Sequence, residues 1–125
     1  MASTARPGAQ ERVAARRALG AGGEDLAAAW YLGQGYEVVA RNWRCRDGEL
    51  DLIVRRGRLH VFCEVKARSS AAFGSPLEAV NRDKRRRIRH LAARWLEAVP
   101  AQAGEIRFDV VGVLGGEIEV VEGAF

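Results

Sequence analysis

Period-two alternation around one short turn constrains this chain more than any other feature. Residues 49 to 55 and 58 to 66, inside "DGELDLIVRRGRLHVFCEVKAR" (Asp47 to Arg68), each alternate apolar and polar side chains, with "RRGR" between them. Such alternation marks strands with one covered face, and Gly57 is available for the positive φ that a tight turn requires. The segment therefore reads as a β-hairpin around which the rest of the chain must pack.

On the first arm Leu50, Leu52 and Val54 are expected to point one way and Glu49, Asp51 and Ile53 the other, because successive strand residues face opposite sides. On the second arm Leu59, Val61, Cys63 and Val65 form the apolar set, with His60, Phe62, Glu64 and Lys66 opposite. Pairing Arg55 with Arg58 sets Asp51 across from Phe62 and Glu49 across from Glu64. Asp51 and Glu64 are then diagonal neighbours, with Cβ atoms about 7–8 Å apart. Lys66 extends the same row, in a chain that uses 18 arginines and only two lysines.

Two readings of that row stand side by side. Carboxylates at Glu49, Asp51 and Glu64 repel one another unless a cation neutralises them, and hard oxygen ligands suit Mg²⁺, which is held by one or two carboxylates plus waters and phosphate oxygens. A nearby lysine could orient a water, accept its proton or steady charge developing on a phosphate; arginine could do only the last. The alternative is a solvated outer face of a hairpin, where the same residues form ion pairs of little consequence.

The remaining segments complete one domain, as 125 residues with 48% hydrophobic content allow. Residues 1–10 read as a flexible tail and 11–125 as the domain. A helix is expected from Glu11 to Leu32, broken or restarted at Gly20 to Gly23, surest in "EDLAAAWYL", and ended by Gly33 to Gly35. Tyr36 to Trp43 reads as a strand and "RCRDG" as a loop. Ser69 to Pro76 reads as another loop, followed by a long helix from about Pro76 to Val99 with an apolar stripe at three-and-four spacing. Two more strands, "EIRFDVVGVL" and "EIEVVEG", join at Gly115 and Gly116. A long helix between strands makes a crossover, so the expected fold class is α/β with a mixed sheet of about five strands flanked by helices.

Placement of charge matters more than the net +4. Between Arg82 and Arg94 stand seven basic residues and one acid, a cluster that either tracks a phosphate backbone or simply solvates the outer face of a helix. Cys45 and Cys63 lack zinc or redox spacing and read as reduced thiols. No stretch approaches the ~20 apolar residues of a membrane span, so no membrane partner is expected and the cytoplasm is the expected location. His60 and His90 lack metal-ligand spacing and are expected at the surface or a helix edge. Arg107 and Asp109 read as a structural ion pair or as residues bordering the site, and Trp30, Trp43 and Trp95 as core.

The motifs "GELDLI", "VFCEVKAR" and "FGSPLEAV" followed by "KRRRI", with "GEDLAAAWYL" and "RFDVV", resemble the YraN family of uncharacterised bacterial proteins. That family is similar to Holliday-junction resolvases and other PD-(D/E)XK nucleases of the restriction-endonuclease-like fold. The resemblance runs from about Gly20 to Val113. It implies Asp51 as the first metal-binding acid, Glu64 as the second, Lys66 as the lysine of the E-x-K half, and Glu24 as a further acid from the first helix. The proline of the "PD" element is replaced by Leu50, as is common in the junction-resolvase branch.

Together these readings predict a Mg²⁺-dependent nuclease, with Mn²⁺ as a substitute, acting on DNA that includes branched or structured forms. Lys84, Arg85, Arg86, Arg89 and Arg68 are the expected nucleic-acid contacts. A cutter of symmetric junctions would work as a homodimer, since it makes two paired cuts. The alternative is a non-catalytic nucleic-acid-binding or adaptor protein that keeps the fold.

Overall fold

Apolar residues stand on both faces of the central strands, Leu52, Val54, Val61 and Cys63 on one and Ile53 and Phe62 on the other, and in the computed structural model two helices among the described residues cover the two faces of a five-stranded mixed sheet. The structure describes residues 22–68, 76–99 and 104–125. A helix over residues 22–33, α1, is followed by β1 (Glu37–Cys45), β2 (Gly48–Arg56) and β3 (Leu59–Arg68). A 3-10 turn (Pro76–Ala79), α2 (Arg82–Ala98), β4 (Glu105–Leu114) and β5 (Glu117–Val121) complete the order.

The strands lie in sequence order, antiparallel except for the parallel pair β3–β4. That pair is made by the α2 crossover, as a parallel connection requires. The expected α/β class is therefore observed, and the architecture is consistent with a restriction-endonuclease-like fold. Expectations for the tail and for residues 11–21 lie outside the described residues, as does the loop over 69–75. Among the described residues no helix is long and apolar enough to cross a membrane.

Two cores result. Under α1, Ala27, Ala28 and Tyr31 pack on Leu52, Val54, Val61, Cys63, Val111 and Val113. Under α2, Ile88, Leu91, Ala92 and Trp95 pack on Leu50, Ile53, Phe62, Phe108 and Val110. The charged row of the hairpin is thus no solvated outer face, because Ile53, His60 and Phe62 of that row are buried. His60 is a correction: it is 2% exposed against the Trp95 ring, not at the surface. Burial pushes its pKa down.

The helix ends follow local chemistry. Gly35 takes φ 87° after α1, where Gly35 N–H donates to the Leu32 carbonyl and Tyr36 N–H to the Tyr31 carbonyl, the two bonds of a Schellman cap. The second helix starts later than its periodicity suggests. Asn81, in extended conformation, accepts the Lys84 N–H on its side chain at 2.9 Å and so restarts the chain as α2 after the 3-10 turn. Strand β1 likewise runs on to Cys45, absorbing Arg44 and Cys45 of the five-residue segment read as a loop.

The hairpin register differs from expectation by two residues. Arg56 pairs with Leu59, leaving Gly57 (φ 61°) and Arg58 as the turn. A shift of two preserves which side chains share a face, because the strand period is two. It does change who stands opposite whom. Continued past the last pair, Leu52 with Cys63, this register sets Asp51 directly across from Glu64 instead of diagonal to it.

A second difference concerns Leu50, which packs with Ile53 under α2 and not with Leu52 and Val54. The alternation breaks where Asn42 of β1, between the paired residues Arg41 and Trp43, adopts a left-handed φ of 52°. The register shift between β1 and β2 falls further back, between Val38 and Ala40.

Candidate functional site

The β2–β3 ladder stops at Leu52 and Cys63, and the strands part beyond it. Asp51 fills the gap: its Oδ2 accepts the Val65 N–H at 2.9 Å, replacing a ladder hydrogen bond. Its carboxyl also lies within hydrogen-bonding reach of Glu64. Two acids at the mouth of a parting hairpin are thereby held face to face.

Burial, reinforced by the charge of Glu64, raises the Asp51 pKa from the ordinary carboxylate range to about 7, with Glu49 adding to the rise and the Val65 N–H opposing it. Glu24 approaches from α1. Burial raises its pKa too; a hydrogen bond from Asn42 works against that, and the charge of Asp51 adds to it. Arg41 braces this corner by pairing with Asp25 at 2.6 Å and Glu24 at 3.9 Å.

On the other side α2 closes a cleft of about 380 Å³ over the acids, lined by Glu49, Asp51 and Glu64 from the sheet and by Lys84, Arg87 and Ile88 from the helix. Gly48 makes the approach feasible. A Cβ there would stand 3.3 Å from Leu91, and its φ of 144° is one that side-chain-bearing residues rarely adopt. Lys84 Nζ reaches Glu64 Oε1 at 3.4 Å, and Arg44 holds Glu49 at 3.0 Å from outside.

The residues expected for the site are only partly gathered. Asp51 and Glu64 line the cleft together and Glu24 feels the charge of Asp51 from outside the lining, whereas Lys66, on the same side of β3 as Glu64, is exposed and also lies outside it. Among the expected nucleic-acid contacts, Lys84 faces the acids, while Arg85, Arg86 and Arg89 join Arg82 around a separate hollow on the opposite flank of α2. There the guanidinium carbons of Arg85 and Arg89 lie 5.7 and 5.4 Å from the Phe125 ring centroid. Arg68 ends β3, and its side chain lies outside the described residues.

The donor set fits a small hard cation held by few protein ligands. Among the described residues no group of three or more His, Cys, Asp or Glu stands together as a metal cage. Mg²⁺ needs no such cage, since one or two carboxylates and retained waters suffice. Asp51 with Glu64 is such a pair, and the upward pKa of Asp51 measures how poorly the pair carries its charge alone.

The sequence model of Uncharacterised protein family UPF0102 matches residues 23–113, which is most of the described chain. The chain belongs to family UPF0102. A UPF0102 protein of Beutenbergia cavernae is 59% identical over 100 residues, covering 80% of this chain and 85% of the relative. One from Nocardia farcinica is 54% identical over 103 residues (82% and 81%), and one from Clavibacter michiganensis 49% over 111 (85% and 94%). The UPF0102 match covers the stretch on which the motif resemblance rests.

Two residues that line this UPF0102 cleft, Arg87 and Asp47, and one beside it, Asn42, escape a reading of the sequence. Arg87 lies in an unbroken basic run, and only the rotation of α2 separates it from Arg86. Asn42, which hydrogen-bonds Glu24, carries no signal beyond its own tolerance of left-handed φ. Asp47 lines the cleft from the β1–β2 turn, and a hydrogen bond from His90, with Arg94 beside it, holds its pKa below the usual carboxylate range.

Proposed function

We propose that the chain is a divalent-metal-dependent phosphodiesterase acting on DNA, branched or structured DNA included. The observation that carries this reading is the Asp51–Glu64 pair, two acids brought face to face where β2 and β3 part, under a basic helix. The likeness of "GELDLI" and "EVK" to the acid and E-x-K elements of PD-(D/E)XK nucleases points the same way.

Asp51 and Glu64 would hold Mg²⁺, or Mn²⁺ in its place. The ion would supply charge neutralisation for the phosphoryl group and a more nucleophilic water. Glu24 steadies the arrangement from α1 and takes up a proton when the acids crowd. Lys66, at the open end of the same row, meets the phosphate or the attacking water as substrate enters. Lys84 neutralises Glu64 in the resting protein and exchanges that partner for a substrate oxygen. Arg87 holds the strand within the cleft, and Arg82, Arg85, Arg86 and Arg89 hold the backbone on the far flank of α2.

Purified protein with Mg²⁺ or Mn²⁺, offered linear, nicked, flapped and four-way DNA, is expected to cut at least one of them. Lys66→Ala should slow that cutting by at least ~100-fold. No product from any substrate, or full activity in Lys66→Ala, would sink the reading. Calorimetric titration of Mn²⁺ is expected to give binding to the wild type that Asp51→Asn abolishes.

A non-catalytic, nucleic-acid-binding or adaptor role is favoured by one observation, the ammonium of Lys84 already paired with Glu64 while Lys66 stands outside the cleft. It predicts salt-sensitive DNA binding that is indifferent to chelator and to Asp51→Asn.

A further inference from the structure

The carboxylate cleft does not end at Asp47. That residue is also a wall of a second cavity of about 350 Å³, shaped by Trp43 and Cys45 of β1, Arg46 of the turn, and Arg94, Glu97 and Ala98 of α2. The two hollows are neighbours that share Asp47 as a common wall, with Arg87 lining the first and Arg94 the second. Those arginines stand seven positions apart on the helix, a rise of about 10.5 Å.

The second cavity differs in chemistry from the first. Its floor is apolar, made by the indole of Trp43 with Cys45 and Ala98, and its rim is charged. Trp43 is half-buried against the core under α2, so its ring is a fixed platform and not a loose flap. Arg94 is fixed as well, its Nε donating to Asp47 Oδ2 at 3.2 Å, while His90 holds the same oxygen at 3.1 Å. Arg46 is exposed at the edge.

A flat aromatic ligand with polar edges matches a floor and rim of this kind. A phosphate would leave the indole and Ala98 unused, and an acyl chain would meet the charged rim. The volume falls at the lower end of the ~300–1,000 Å³ usual for ligand sites, which suits a single ring system.

We propose that the Trp43 cavity receives an unpaired nucleobase belonging to the strand whose phosphate occupies the carboxylate cleft. This rests on the nucleic-acid reading above and narrows it: the substrate is single-stranded, or opened, at the nucleotide beside that phosphate. A base inside a duplex is stacked and cannot enter a side pocket without leaving the helix. An unpaired base stacks on an aromatic platform whatever its identity, so the pocket selects for strand state and not for sequence.

Fluorescence anisotropy on the full chain with Ca²⁺ supplied in place of Mg²⁺, read before any product forms, tests the proposal. The probes are a short labelled thymidylate oligonucleotide, the same sugar-phosphate backbone lacking its bases, and the thymidylate strand annealed to its complement. Wild type is expected to bind the base-bearing single strand about tenfold or more tighter than the abasic strand or the duplex. Trp43→Ala should bind all three alike. Because Trp43 also packs on the core, Ala98→Phe provides a second variant, filling the exposed end of the cavity without removing a core contact. It too should lose the preference for bases. Equal binding of base-bearing and abasic strands by wild type would overturn the pocket while leaving backbone binding intact. Failure of every strand to bind would overturn the nucleic-acid reading and this proposal with it.

Discussion

Asp51 carries the sharpest consequence of any single residue. Its pKa stands near 7 in the folded protein against an ordinary value of 3.8, so between those values the folded state holds a proton that the unfolded chain has released. Stability from this group is therefore complete below about pH 4 and is lost as pH rises through 7, by the linkage of proton uptake to folding. Melting temperature measured from pH 5 to 8 should fall more steeply in wild type than in Asp51→Asn, and at pH 8 the variant should melt several °C higher. Added Mg²⁺ should raise the wild-type curve at pH 8 and leave the variant's unchanged.

Asp109 is the contrasting acid. It is fully buried, yet it accepts from Tyr31 Oη at 2.6 Å, from two guanidinium nitrogens of Arg107 at 2.8 and 2.9 Å, and from Gly123 N–H at 3.0 Å. Its partners satisfy it, and it belongs to the frame and not to the cleft. Asp109→Ala strands Arg107 and should cost about 3–5 kcal/mol in urea unfolding. Of the two roles weighed for "RFD", the structural one holds. A sequence shows both acids as alternating strand residues and cannot show which has hydrogen-bond donors around it.

At the scale of elements, strands and faces were legible because period two survives small errors. The hairpin register was wrong by two residues, yet Glu64 and Asp51 still shared a face, since only an odd slip would have parted them. Leu50 and the parting of β2 from β3 were not legible, because they depend on a left-handed Asn42 and on a side chain replacing a ladder bond. The start of α2 was hidden for a related reason. Apolar spacing runs smoothly through Leu77 and Val80, and only the bond from Lys84 N–H to Asn81 marks the restart. Asn81→Ala should lower stability by about 1 kcal/mol in thermal or urea melts, and Asn81→Asp should restore most of it.

Across the whole molecule, the basic helix proves to be two surfaces set back to back. Lys84, Arg87 and Arg94 look toward the β1–β2 side, and Arg82, Arg85, Arg86 and Arg89 toward the other. If both flanks touch one nucleic acid, Arg86→Ala and Arg89→Ala should each reduce the slope of log affinity against log salt by about 0.7–0.9, leaving metal binding untouched. Arg87→Ala should reduce the slope by a similar amount and slow cleavage as well.

The parallel pairing of β3 with β4 divides the cleft by chain order. Every acid that lines it comes from residues before Arg68, and both of its cations come from residues after Pro76. A chain cut between those positions would yield one fragment bearing carboxylates and another bearing ammonium and guanidinium groups, neither holding a whole site. Their reassociation through β3 and β4 would rebuild it, so split halves of this small domain could serve as a proximity reporter whose signal is the return of the folded cleft and its Lys84–Glu64 pair.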